Sequence, residues 1–308
     1  MSGLSDYAAG SNLAFCTGQI GKTAPTSLWL ALFTVPPTSD AGTGGTEVSG
    51  GSYARPQIAG QLAMTGSTST SLTTFTLTSN APQWLVSLGT SSTSSATGGT
   101  GVTVWTTAGV FVGTIATNGA STSSTTITLT SNAAVVTSTN IQFSAFSAPA
   151  ASTGNPEPNT LPSSITNGAS VPFVQATASW GTVVGFGIYD TLASATNLYA
   201  FDYLGNFKWI PFSCTSASPG VLTTDLSADV PVNGSICAVT QKYGATLPTT
   251  AGSWSYPLTS AGSSANTFNL GVNTSTTGGG LFRQVLQQPI AINVTASFAA
   301  SALTITSA

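Results

Sequence analysis

The stretch Trp180–Asp190, WGTVVGFGIYD, constrains this chain more than any other. Read as a strand, it puts Val184, Phe186 and Ile188 on one face and Val183, Gly185, Gly187 and Tyr189 on the other. Its bare glycines let a neighbouring backbone or a bulky ring come close. A strand of this kind needs partners that are also apolar on both faces. Ser27–Thr34, SLWLALFT, supplies one, with Leu28, Leu30 and Leu32 on one side and Trp29, Ala31 and Phe33 on the other. Pro36-Pro37 stops it. The glycine face is therefore predicted to receive the Leu28–Phe33 or the Ile290–Phe298 strand.

The rest of the chain is unusually short of charge. Only 4% of its 308 residues are Asp, Glu, Lys or Arg, and there is no His, against about 25% charged residues in ordinary globular domains. Apolar residues make up 41% and mean hydropathy is +0.28, enough for a sizeable core. The remaining polarity is Ser, Thr, Asn and Gln, suited to β structure, turns and a neutral surface. Five cations and a net charge of -3 cannot neutralise a row of phosphates, which excludes nucleic acid as a partner. No basic cluster exists to hold an anionic membrane. A neutral surface gives little colloidal repulsion and suits a protein that works in an assembly.

Cys16, Cys214 and Cys237 show no metal-ligand spacing, so no metal and no cofactor is predicted. Cys214 and Cys237 could close a loop in an oxidising compartment or remain buried thiols. The N-terminus MSGLSDYAAG does not read as a secretory signal, and no apolar stretch reaches the ~18 residues of a membrane span.

Leu4–Cys16 reads as a short helix with Ser5 as N-cap. A Gly- and Thr-rich loop follows, in which Gly50-Gly51 permits a tight turn before Tyr53. Arg55 is predicted to pair with Glu47 or Asp40 rather than to bind a ligand. Residues 61–160 change character and are dominated by Ser and Thr. SLTTFTLTSNAP at 71–82 is echoed by STTITLTSNAAV at 124–135, each an alternating strand closed by a Ser-Asn turn. Between them GVTVWTTAGVFVGTIAT reads as a hairpin turning at Thr106–Gly109. The four prolines of 147–163 suggest an extended linker. After Asp190, placed to cap the next turn, come an aromatic-rich segment at 199–212, a strand at Ile236–Thr240, an apolar pattern through Phe268–Val272 and short terminal strands after Gly278–Gly280.

Much chemistry is missing. Without His there is no Ser-His-Asp or Cys-His arrangement and no imidazole base. Asp225 and Asp229 are the carboxylates closest in sequence, and nothing in the pattern sets them across a cleft. The glycine runs lack the Lys-Ser/Thr of a phosphate loop. Trp209, Trp254 and Tyr256 are the aromatics that could stack on a sugar ring, or belong to the core.

Three segments carry a resemblance. ALFTVPP…GTEVSGGSYAR (31–55), WGTVVGFGIYD (180–190) and LFRQVLQQPIAINVTASFAASALTIT (281–306) resemble the motifs of a family of tailed-bacteriophage proteins usually labelled tail fibre protein. The motif residues are Gly50, Gly51, Tyr53, Arg55, Trp180, Gly181 and Asp190. The stretch 218–254 is partly similar to a β module scattered through phage structural proteins. The resemblance implies a virion component assembled in the host cytoplasm, with no catalytic, cofactor or metal residues carried over.

The expected fold is all-β: a small β-sandwich from 1–60, 161–193 and 278–308, with a short N-terminal helix or arm and two inserted β-rich modules at 61–160 and 194–277. The expected function is a non-enzymatic structural protein on the outside of a tailed phage, either a head decoration or cement subunit or a related tail or fibre component. Its partners would be major capsid or tail proteins and copies of itself. The alternatives are an adhesin binding a host surface glycan through Trp209, Trp254 or Tyr256, and a polysaccharide depolymerase using Asp225 and Asp229.

Overall fold

The computed structural model describes residues 3–4, 17, 25–37, 45–66, 68–136, 140–147, 164–192, 197–205, 207–242, 245–249, 254 and 256–306. Gly3–Leu4 forms a two-residue strand, so the helix predicted from Leu4 does not begin there; the remainder of that prediction, with Cys16, Asp40 and nearly all of the 147–163 linker, lies outside the described residues. The described chain is all-β apart from the helix Gln83–Ser87 and a 3-10 turn at Ser227–Asp229. It divides into two compact units, residues 2–202 with 289–308, and residues 203–288 with Met1.

The larger unit is built on one long antiparallel sheet. Its strands run in the spatial order Gly3–Leu4, Leu198–Tyr203, Gly185–Tyr189, Ser27–Val35, Gln57–Leu62, Ile141–Ser144, Thr103–Thr106 and Phe111–Thr114, with Thr46–Glu47 paired to the Ser27–Val35 strand. The two strands that are apolar on both faces lie side by side, Gly185 opposite Phe33 and Tyr189 opposite Trp29. The Ser27–Val35 strand lies beside the glycine strand in the sheet rather than on its glycine face, and it is the Phe33 ring that leans over Gly187, where an added side chain would run into it. Leu30, Leu32, Phe186 and Ile188 share one sheet face and are buried; Val104 and Phe143, in register with Gly60 and Ser27, are buried on the other. Short ladders cover both. The Thr74–Thr76 and Thr126–Thr128 pair brings Phe75 to 6.3 Å from Phe143. The Val171–Gln175 and Thr295–Phe298 pair brings Phe298 to 5.7 Å from Phe186. The unit is thus one long sheet with short two-stranded ladders packed against it. The predicted hairpin turns as expected, with the Gly109 N–H on Thr106 O. The strands of 103–144 join the same sheet as the Gln57–Leu62 strand.

The smaller unit is a sheet in the order Leu258–Thr259, Ile236–Thr240, Gly278–Gln284, Ile210–Cys214, Leu222–Thr223, Thr267–Asn269 and Ala261–Ser264. Its two end strands are consecutive in the chain, joined only through the buried Ser260. One bent segment therefore pairs at both ends, and the sheet closes on itself as a small barrel without a free edge. The interior is apolar: Phe282 is 0% exposed and Phe268 1%, with Phe212, Leu222, Leu270 and Cys237 around them. Cys214 sits opposite Gly278 and Cys237 opposite Gln284, on the two sides of one strand and six residues apart along it. That is about 20 Å along the strand, far beyond the ~7 Å a disulfide spans. The disulfide reading is excluded, and both thiols are free and buried.

Candidate functional site

The most constructed polar site lies in the larger unit and starts from the turn in GTEVSGGSYAR. Gly50, Gly51 and Ser52 take positive φ in succession, at 73°, 54° and 63°, and the Tyr53 N–H closes the turn on Gly50 O at 2.9 Å. Gly51 is required by its positive φ and by crowding. A Cβ there would lie 2.9 Å from Ala178 O, and its carbonyl accepts both the Trp180 indole N–H and the Thr177 N–H, each at 2.9 Å. The turn is thus fastened to the start of the Trp180–Asp190 segment. Gly181 follows at φ 78°, a conformation a side chain would strain.

From this turn Tyr53 reaches inward. Its hydroxyl donates to Glu47 Oε1 and accepts the Leu32 N–H, both at 2.9 Å. Arg55 meets the same carboxylate in a bidentate pair, Nε to Oε1 at 2.8 Å and Nη2 to Oε2 at 2.6 Å. Its third arm donates to Thr191 O at 2.8 Å. Its guanidinium lies 4.0 Å from the centre of the Tyr189 ring. Below, Tyr53 is edge-on to Trp180 at 5.3 Å and parallel to Phe173, which in turn contacts Phe298. The segments around 47–55, 171–191 and 298 are locked together here.

The electrostatics fix the protonation states. Burial and the neighbouring Glu47 charge push the Tyr53 hydroxyl far above its ordinary 10.0. Burial also raises Tyr189, partly offset by Arg55. Burial works against the Arg55 charge, but the Glu47 bonds outweigh it and hold the guanidinium above its usual range. A neutral phenol, a spoken-for carboxylate and a permanent cation make a fastener with no free acid, base or nucleophile. An open pocket of about 410 Å³ is lined by Glu47, Tyr53 and Arg55 themselves, together with Ser49, Gly50 and the exposed Leu192.

Asp190 stands one residue from the lock. Its Oδ2 accepts from the Asn197 side-chain amide at 2.9 Å. Of the predicted motif residues, Gly51, Tyr53, Arg55 and Trp180 are brought into contact, and Gly50, Gly181 and Asp190 set the adjoining backbone. Glu47 was legible as a partner of Arg55. The Leu32 N–H and the Tyr189 ring were not, because no local pattern signals contacts made across the sheet.

In the barrel the three sugar-stacking candidates separate. Trp209 and Tyr256 both pack on Tyr203, at 6.3 and 5.7 Å, and the Arg283 guanidinium lies 5.5 Å from the Trp209 ring centre. Trp254 belongs elsewhere, against Phe212 at 6.1 Å, with its indole N–H on Pro248 O. Asp229 is paired with Lys208 at 2.8 Å, and Asp225 is exposed. No group of metal-ligating side chains occurs among the described residues, and no helix among them is long and apolar enough to cross a membrane.

With this geometry in view, the family comparison falls on the first part of the chain. Residues 3–84 match the family described as Podophage GP4 fiber I protein gp80. The matched span contains the Glu47, Tyr53 and Arg55 side of the lock. No curated protein and no solved structure matches the chain. The similarity supports a structural role in a phage particle, of the tail or fibre type.

Proposed function

We propose that this protein is a non-enzymatic, fibre-type structural component of a tailed phage particle, contacting other virion proteins through its larger unit. The observation that carries this reading is the coincidence of the fibre-family match with the segment whose polar groups form the Glu47–Tyr53–Arg55 lock. A lock with every functional group engaged gives rigidity and leaves nothing for catalysis. Within this reading 203–288 is an added module, whereas the sequence pattern places the second insertion at 194–277 and residues 278–308 in the core. Cryo-EM of the intact particle with a gold-labelled antibody against the chain tests the assignment. Label at the tail or its fibres is the expected result; label on the capsid faces would replace it with head decoration.

A second reading concerns the barrel alone. Trp209 and Tyr256, both half-buried and sharing Tyr203, form the one pair of predicted stacking aromatics that the fold brings together. We propose this pair as the contact for a host surface glycan. The intact chain should bind host envelope polysaccharide on an array and lose it on Trp209→Ala, whereas Trp254→Ala should spare it. Equal loss in both variants, or no binding by the unaltered chain, removes this reading.

A further inference from the structure

Residues 291–306 lie over the larger unit as a strap. Their near end is pinned, because Ile290 O accepts the Trp180 N–H at 3.0 Å. Beyond it come two short ladders, Thr295–Phe298 on Val171–Gln175 and Thr304–Thr306 on Ser164–Thr166. The first is irregular between Pro172 and Gln175, and Pro172 has no N–H to give it. Little of the strap is buried. From Ala291 to Ala302 only Ala296 and Phe298 are even partly covered, and Ile292 and Val294 are exposed. The side-chain grip comes chiefly from Phe298 and the buried Leu303. Phe298 lies 5.7 Å from Phe186 and 6.3 Å from Phe173.

One residue fastens the turn between the two ladders. Asn167 is 0% exposed. Its Nδ2 donates to Ala299 O at 2.7 Å and to Ala169 O at 2.8 Å, and its Oδ1 accepts the Leu303 N–H at 2.8 Å. Its own N–H reaches Leu303 O at 3.1 Å, and its carbonyl accepts the Ser301 N–H at 2.7 Å. All of these bonds but the one to Ala169 cross to 299–303. The grip elsewhere in the unit is of another kind: Gly185–Tyr189 is buried at every position, and Leu30 to Phe33 beside it are buried too. A segment held by solvent-facing ladders and few apolar contacts opens at a lower free energy than the sheet it covers. We propose that 291–306 is a releasable strap with Asn167 as its latch. It swings out from Ile290 while the central sheet stays folded, and it uncovers the apolar strip of Val171, Phe173 and Phe186. The strap and everything it touches here belong to the larger unit.

Hydrogen exchange of the intact chain, followed by mass spectrometry, reads this directly. Amides of 295–306 should exchange at least about a hundredfold faster than those of 185–189. Asn167→Asp keeps the shape and the acceptor for Leu303, but it sets an oxygen against the Ala169 and Ala299 carbonyls where a donor stood. It should speed exchange of the strap at least about tenfold further and leave 185–189 unchanged. Leu303→Ala removes apolar grip without touching a side-chain hydrogen bond, should act in the same direction, and decides the matter if the aspartate variant does not fold. A strap that exchanges in step with 185–189 in the unaltered protein overturns the proposal. So does a variant that speeds both regions equally.

Discussion

The Glu47–Tyr53–Arg55 lock and the 203–288 barrel fix distant segments by opposite means. In the lock one carboxylate takes three hydrogen bonds, and the arginine it holds is 4% exposed at the side chain. In the barrel the work is done by an apolar interior and a ladder that closes on itself, and the buried Trp209 indole N–H has no hydrogen-bond partner among the described residues. A chain with 4% charge places a buried ion pair where an open sheet needs several loops held in one arrangement. A sheet that closes on itself already fixes its strands, and there the buried Arg283 ties down the neck through Gly205 O.

The largest effect that would break this contrast is in the barrel. Phe282→Ala should cost about 4 kcal/mol and lower only the barrel's transition in calorimetry. Loss of both transitions together would mean the units do not unfold separately. In the lock, Glu47→Ala strands the buried Arg55 charge and should cost about 3 kcal/mol. Arg55→Ala should cost less, since Glu47 is 28% exposed and can turn to water. The reverse ranking in urea titrations would show that Tyr189 rather than Glu47 dominates the site. Trp180→Phe removes one donor from Gly51 O, which keeps the Thr177 N–H, and should cost about 1 kcal/mol.

Alkali sharpens the comparison further. Burial pushes the Cys237 thiol from its ordinary 9.0 up to about 12. A raised folded value stabilises the barrel fully below pH 9, and this contribution is lost as pH rises from 9 toward 12. Tyr53 is raised from 10.0, so the larger unit should begin to weaken only above pH 10. Circular dichroism against pH should show the barrel yielding first. The smallest effect is kinetic: at neutral pH iodoacetamide should label Cys214 and Cys237 only when the barrel unfolds.

Much of this was legible in residue patterns. The double-faced strands found each other because only a partner apolar on both sides could cover WGTVVGFGIYD. The Arg55–Glu47 pair was legible because so few carboxylates exist. The separation of Trp254 from Trp209 was not, since it depends on which ring each packs against, Phe212 or Tyr203. Gly278-Gly279-Gly280 is a strand at the barrel's centre, although such a run also suits a turn. Glycine is needed there because Leu247, Thr240 O and Thr246 O would each lie within 3 Å of an added Cβ. Close approach of that kind leaves no trace in periodicity.

The barrel's entry and exit are tied together: the Leu286 N–H binds Leu204 O at 3.0 Å, and Arg283 binds Gly205 O at 2.9 Å. Tension applied along the chain is therefore carried across this neck and does not run through the ladders beyond it. A pull that would unzip a module threaded end to end instead loads one short stretch of backbone here. The barrel can stay folded while the chain on either side of it is under strain.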